Sequence, residues 1–395
     1  MLGRTEPGLA GNLSRRSLVM RLAAAGFTAP VITSILRESA FAQEATPTPQ
    51  ELLESLGKSP DMIPRGSTTF ETPTALVADD FLTPNDMFFI RSNGPISMDI
   101  PVDEWRLAVT GLVDQELDLS FADLQALPNR TVTAFLECSG NSRSFFGDDP
   151  RQVDGTQWLN GAIGNAEWTG VSLAEVLALA GVQEGAVDVV SQGGDFPEMQ
   201  RGLPLNVATL PDVMLVWEMN GEPLPAPNGG PVRLLTPTWS GIASTKWVVG
   251  IDVIDHPFAG HYNSESYVFI DEDDAVIGPV REVAPKSFIA APAPDATLEA
   301  GAQQITGFAW SGFAAIDHVE VSTDGGESWQ PAEIVEEAGP ASWVRFVYEW
   351  DAPAGDAVLA ARAVDLRGLT QPLTDDWNAK GYLFNAVQQV PVSVG

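Results

Sequence analysis

Near Pro285 the pattern of apolar residues changes its period, and one architecture cannot accommodate what lies on either side. Between Trp105 and Pro285, short apolar runs of strand type alternate with helical signals. Ser172-Leu173-Ala174-Glu175 reads as a capping box, after which Leu173, Val176, Leu177 and Ala180 share one helical face until Gly181 ends it. Val213-Met214-Leu215-Val216-Trp217 reads as a buried strand that turns at Asn220-Gly221. Beyond Pro285 only strand signals remain. Val344, Phe346, Tyr348 and Trp350 alternate onto one face, and Val319 and Val321 lead into the turn Asp324-Gly325-Gly326 and on to Trp329. Closely spaced turns predict a β-sandwich of immunoglobulin type, joined through the Pro/Ala-rich residues 290–294. The predicted class is therefore α+β, with a mixed domain over residues 81–286 followed by an all-β sandwich over 287–395.

Ahead of both domains lies a segment of another kind. Ser14-Arg15-Arg16-Ser17-Leu18-Val19 precedes a moderately apolar stretch from Leu22 to Leu36, and Ala40-Phe41-Ala42 places small residues at the −3 and −1 positions of a cleavage site. Residues 1–42 thus read as a twin-arginine export signal, which implies a working location in the periplasm or at the outer face of the cytoplasmic membrane. Its apolar stretch falls short of the roughly 20 residues that span a bilayer, and no span is expected after it. The twin-arginine route carries folded proteins, often with a cofactor already inserted. Residues 43–80, rich in Pro, Thr, Glu and Gln near their start, read as a flexible leader, with order expected from about Phe81.

Charge and cysteine content then narrow the chemistry. With 21 Lys and Arg against 53 Asp and Glu, the formal net charge is −32, which repels nucleic acid and favours a basic protein partner. Removal of the arginine-rich signal makes the remainder more acidic still. The single cysteine, Cys138, excludes an internal disulfide, a four-cysteine zinc site and a haem attached through a cysteine pair. His256 and His261 are five apart across Pro257 and Gly260, poor spacing for a metal pair, and His318 falls on a polar strand face. The motifs of α/β-hydrolases, phosphate loops and dinucleotide folds do not occur.

The densest chemistry lies at Thr133–Arg143, which reads TAFLECSGNSR. An apolar run delivers Cys138 to the end of a strand, Gly140 and Asn141 permit a sharp turn, and Arg143 follows. A nearby cation favours thiolate, the form that binds a soft metal. Here the chain resembles the sulfite oxidase family of molybdenum enzymes. Cys138-Ser139-Gly140-Asn141 is similar to the turn that gives the metal its one protein ligand, and Phe88-Phe89-Ile90-Arg91 to a segment whose arginine faces the substrate anion. Pro223-Leu224-Pro225 with Gly230-Pro231-Val232-Arg233-Leu234-Leu235, and then Gly241-Ile242-Ala243-Ser244-Thr245-Lys246-Trp247, resemble the segments that hold the pterin and its phosphate. Ala309-Trp310-Ser311-Gly312 and Trp377-Asn378-Ala379-Lys380-Gly381-Tyr382 resemble parts of the family's dimerisation domain.

The resemblance covers roughly residues 80–395 and implies molybdenum and molybdopterin as cofactors. As it implies, Arg91, Cys138, Arg143 and Tyr267 are the catalytic residues, with Cys138 the metal ligand. Phe89, Arg91, Ser92, Asn93, Cys138, Asp195, Asn228, Arg233, Ser244, Thr245 and Lys246 are the implied cofactor-binding set. Arg91 and Arg143 suit bidentate capture of an oxyanion, with Lys246 as a point charge. Gly193 and Gly194 beside Asp195 permit close backbone approach. Implied too are oxidation of sulfite or a related sulfur oxyanion to sulfate, a separate electron acceptor such as a c-type cytochrome, and a homodimer. Departures from the family pattern are specific: Arg91-Ser92-Asn93-Gly94 stands where Arg-Asn-His is common, Asn228 stands where a histidine is common, and Asn385-Ala386-Val387-Gln388-Gln389 lacks a C-terminal arginine. Those departures bear on sulfite more than on the cofactor. A reductase acting on a sulfoxide or another oxidised substrate through the same cofactor, and a non-catalytic binding or scaffold protein with an inert Cys138, are the alternatives.

Overall fold

A computed structural model describes residues 47–147, 153–271, 273, 275–374 and 376–395. The proposed export signal lies outside the described residues. The chain divides into two units, Met1–Glu51 and Leu52–Gly395. Of the first, only residues 47–51 are described, where the Glu51 N–H donates to Thr48 Oγ1 at 3.2 Å.

Residues 52–80, expected to form a flexible leader, are instead packed. Leu53, Met62 and Phe70 are buried with Ile90 in one apolar cluster, and the Phe70 and Ile90 backbones exchange hydrogen bonds of 3.1 and 2.9 Å. The Pro- and Thr-rich composition conceals these anchors because they follow no regular period. Glu71 is buried as well, ion-paired to Arg65 and accepting the Gly161 N–H.

Two five-stranded sheets build the first part of the larger unit. In one, the strands run Glu222–Pro223, Met214–Met219, Ile163–Ser172 and Asn129–Glu137, with Arg233–Leu235 also pairing with Met214–Met219. The other orders Leu117–Ser120, Arg106–Gly111, Val248–Ile254, Asp188–Gly193 and Gln200–Pro204, in which only Arg106–Gly111 and Val248–Ile254 run parallel. Helix Leu173–Ala180 buries the expected Leu173, Val176, Leu177 and Ala180, and Gly181 ends it at φ 73°. Its start differs from the expected capping box: the Ser172 hydroxyl accepts only from the Ala174 N–H, at 3.3 Å. The reciprocal box forms instead at Ser120 and Asp123, where helix Phe121–Gln125 begins. Asn220 and Gly221, at φ 54° and 75°, make the tight hairpin after Met214–Met219.

The sandwich follows. One sheet orders Lys286–Ala291, Gly301–Trp310, Val344–Ala352 and Glu333–Glu336; the other orders Ala296–Leu298, Gln389–Val394, Gly355–Asp365, Ile316–Ser322 and Gln330–Pro331. Their facing residues, among them Ile305, Phe346 and Trp350 against Val319, Val321 and Leu359, form one core. The fold is mixed α+β with a β-sandwich, as the sequence predicts. Among the described residues no helix is long and apolar enough to cross a membrane.

Candidate functional site

Strand Asn129–Glu137 pairs along its whole length with Ile163–Ser172 and ends one residue before Cys138. The Cys138 N–H donates to Ala162 O at 2.8 Å, and the Asn141 N–H closes the turn on Cys138 O at 2.9 Å. Asn141 Oδ1 accepts from the Ala162 N–H at 3.0 Å, tying the turn back to the neighbouring strand. Gly241 faces the same turn so closely that a Cβ there would lie 2.9 Å from Glu137 O. The thiol is thereby fixed at the wall of a cleft.

Phe89, Arg91, Ser92, Asn93, Asp195, Asn228, Arg233, Ser244, Lys246 and Tyr267 line that cleft with Cys138. They arrive from segments far apart in sequence. An adjoining outer cavity shares Arg91, Asn93, Cys138 and Tyr267 with the cleft and adds Arg143, Thr156, Trp158, Lys380 and Tyr382. The four shared residues therefore form the junction between an inner and an outer chamber. There Asn93 Oδ1 accepts from Arg91 Nη2 at 2.7 Å and from the Tyr267 hydroxyl at 3.0 Å, so one amide oxygen holds both donors in place. Burial pushes the Tyr267 phenol up to about 12, which keeps its proton in place at neutral pH. Its ring stacks on Tyr382 at 5.2 Å, and its backbone sits at φ 52°. Ser142 and Trp247 also have positive φ, 69° and 50°, beside Cys138 and Lys246. Such strained positions cluster where the surrounding structure over-determines them.

Positive charge predominates in the inner cleft. Lys246 is driven well below its ordinary range by burial and by the neighbouring cations Arg233, Arg91 and Lys58, with Asp195 alone opposing the shift. Its ammonium donates to Pro227 O at 3.0 Å. Arg233 is fully buried, donating to Asn228 O at 2.7 Å and Ser244 O at 2.9 Å, while its Nε has no partner. Asp195 Oδ1 is buried and likewise unpartnered, and burial raises that carboxyl. Buried basic side chains in excess, an orphaned acceptor, an orphaned donor and a soft cysteine sulfur make a donor set that fits a phosphorylated pterin carrying a metal. Among the described residues, no group of three or more His, Cys, Asp or Glu could hold a metal ion.

One of the expected site residues is placed otherwise. Thr245 does not reach the cleft: its hydroxyl is 2.7 Å from Ser191 Oγ, because the segment leading to Lys246 turns that side chain toward strand Asp188–Gly193. Arg143 lines the outer cavity but directs its guanidinium at backbone, with Nη1 on Thr156 O at 3.0 Å and Nη2 on Lys380 O at 3.1 Å. Arg91 is held likewise, with Nη1 on Ser92 O and Nη2 on Asn93 Oδ1, so both arginines of the expected pair line the outer cavity with Cys138. His256, His261 and His318 are exposed beside acidic neighbours.

One residue of the site had no signal in the sequence. Lys58, from the supposed leader, is buried behind Asn228, and burial brings its ammonium down to about 7, against a partial opposing effect of Asp86. Unfolded, this lysine stays protonated up to about pH 10.5; folded, it loses its proton above about 7. The folded chain thus binds fewer protons between those values, and its stability contribution rises with pH across that window by up to about 1.4 kcal/mol per unit. Urea unfolding of the cofactor-free chain between pH 7 and 10 is expected to show this slope and to show it reduced in Lys58→Met. An identical slope in the variant would contradict the assignment.

Comparison with known proteins gives this geometry a class. Residues 93–262 match a family model described as oxidoreductase molybdopterin binding domain, and residues 279–395 match one described as Mo-co oxidoreductase dimerisation domain. The chain is 36% identical over 349 residues to mitochondrial sulfite oxidase of Rattus norvegicus, covering 82% of this chain and 64% of that protein. It thus spans slightly less than two-thirds of the rat protein's length. With sulfite oxidase of Arabidopsis thaliana it shares 31% identity over 361 residues, covering 82% of this chain and 91% of that protein. The crystal structure of the sulfane dehydrogenase SoxCD from Paracoccus pantotrophus is similar with a TM-score of 0.77 and 31% identity, over 82% of this chain and 84% of that one. The chain belongs to the sulfite oxidase family of molybdopterin-dependent oxidoreductases.

Proposed function

We propose that the chain oxidises sulfite, or a related sulfur oxyanion, to sulfate and passes the electrons to a separate carrier. The observation that carries this reading is the junction of the two chambers at Arg91, Asn93, Cys138 and Tyr267. Cys138 would hold the metal, and Arg233, Lys246, Asn228, Ser92 and Asp195 line the chamber that would hold the pterin and its phosphate. When bound, the molybdenum cofactor supplies two-electron oxygen-atom transfer at sulfur. Arg91 is the guanidinium at the junction and binds the substrate anion through charge-assisted hydrogen bonds. Asn93 holds Arg91 and Tyr267 in fixed orientation, which lowers the cost of ordering donors around the substrate. Tyr267 retains its proton, which sits on Asn93 Oδ1, and would donate it to an oxygen placed at the junction by exchanging that partner. Tyr267 and Tyr382, stacked at 5.2 Å, both line the outer chamber.

A chain of net charge −32 suits a basic acceptor such as a c-type cytochrome through electrostatic steering. Export through residues 1–42 would place both in the same compartment, and the dimerisation-type domain supports a homodimer. The test is sulfite-dependent reduction of a basic c-type cytochrome by the molybdenum-loaded protein. The expected rate falls with added salt, and Arg91→Met lowers kcat/KM about 10- to 100-fold, the cost of one charge-assisted contact. A loaded protein that reduces no cytochrome with sulfite, and is instead reoxidised by a sulfoxide after chemical reduction, would reverse the direction of the proposed reaction.

A further inference from the structure

Lys58 lies well ahead of residue 93, where the match to the molybdopterin-binding family model begins. Its Nζ donates to Asn85 O at 2.6 Å, to Phe88 O at 3.0 Å and to Asn228 Oδ1 at 2.7 Å, so each of its three protons has an acceptor. In its charged form, kept below about pH 7, the ammonium accepts nothing, so only the oxygen end of the Asn228 amide can face it. The nitrogen end must then point the other way, and its Nδ2 lies 3.4 Å from Phe89 O at the wall of the cleft. One amide proton serves that carbonyl, leaving the second for the cleft.

We infer that Lys58 is a positioning residue for cofactor binding, which locks Asn228 with an N–H toward the cleft as a hydrogen-bond donor to molybdopterin. An asparagine without this constraint could present either end of its amide. The same ammonium adds positive charge behind a cleft already built from Arg233, Lys246 and Arg91. Burying a lysine with no carboxylate hydrogen-bonded to it is unfavourable for the cofactor-free fold, and an anionic ligand offsets that cost. The shift of Lys58 toward about 7 expresses the same imbalance, since a bound anion restores the charged form.

The inference rests on the cofactor reading of the cleft, and the experiment separates the two. Wild type, Lys58→Met, Asn228→Leu, the double variant and Asn228→Asp are expressed in a host that makes molybdopterin. Release of pterin is followed over time by fluorescence of its oxidised form, and thermal midpoints report folding. Lys58→Met and Asn228→Leu are each expected to speed release about tenfold or more, with the double variant no faster than the faster single one. Asn228→Asp keeps an acceptor for Lys58 and folds through that ion pair, yet offers no N–H, and is expected to release pterin as fast as Asn228→Leu. Wild-type retention in Lys58→Met or in Asn228→Asp would overturn the assignment, as would effects that multiply in the double variant. Wild-type protein that carries no pterin would overturn the cofactor reading and this assignment with it.

Discussion

Replacing Cys138 by serine is expected to lower turnover by about a thousandfold or more while the fold and the pterin remain. The side chain changes by one atom. None of the hydrogen bonds that shape the turn uses the sulfur: they run from the Cys138 N–H to Ala162 O, from the Asn141 N–H to Cys138 O, and from the Ala162 N–H to Asn141 Oδ1. Serine can therefore occupy the same turn. A hydroxyl, however, does not ionise near neutrality and is a hard ligand, so it replaces neither the thiolate charge nor its affinity for a soft metal. Losing several kcal/mol of metal-derived transition-state stabilisation corresponds to about three orders of magnitude in rate. Steady-state turnover, pterin content and thermal midpoint of the variant check the three parts separately. Turnover within tenfold of wild type would show that Cys138 is not the metal ligand.

Replacing Lys286 by methionine is expected to have the largest effect on stability, a loss of about 3–5 kcal/mol. Lys286 opens the first strand of the sandwich, and its Nζ lies 2.8 Å from Glu137 Oε1, both residues being buried. Trp310 Nε1 donates to the other carboxylate oxygen at 2.8 Å, and Asn141 Nδ2 donates to Oε1 at 2.9 Å. Removing the ammonium strands a buried carboxylate with two neutral donors, which costs more than the pair itself contributes. Because Glu137 adjoins Cys138 and Asn141 closes its turn, the damage reaches the metal-binding loop. Combining Lys286→Met with Glu137→Gln removes both charges and is expected to recover most of the lost stability. Denaturant unfolding decides the matter: a cost below 1 kcal/mol for Lys286→Met would mean that this network does not tie the sandwich to the Cys138 turn.

What could be read from the sequence was what short-range pattern determines. The Cys138 turn, the alternation of Val344, Phe346 and Trp350, and the stop of helix Leu173–Ala180 at Gly181 each depend on a few adjacent residues. Arg233 and Lys246 were legible because their segments resemble a family. The Glu137–Lys286 pair was not, since neither residue differs by type or spacing from a surface charge, and only the fold brings them together across 149 positions. Lys58 was hidden for the same reason, within a stretch whose composition reads as solvated while Leu53, Met62 and Phe70 anchor it. Thr245 was assigned by segment rather than by side-chain direction, and direction is what Ser191 determines.

Molybdenum per chain, measured on wild-type protein from a host replete in the cofactor, tests the central claim most directly: that this cleft holds molybdopterin with its metal on Cys138. The expected result is close to one metal per chain, with thiolate-to-metal optical bands that vanish in Cys138→Ser. A folded wild-type chain that carries no molybdenum under those conditions would contradict it.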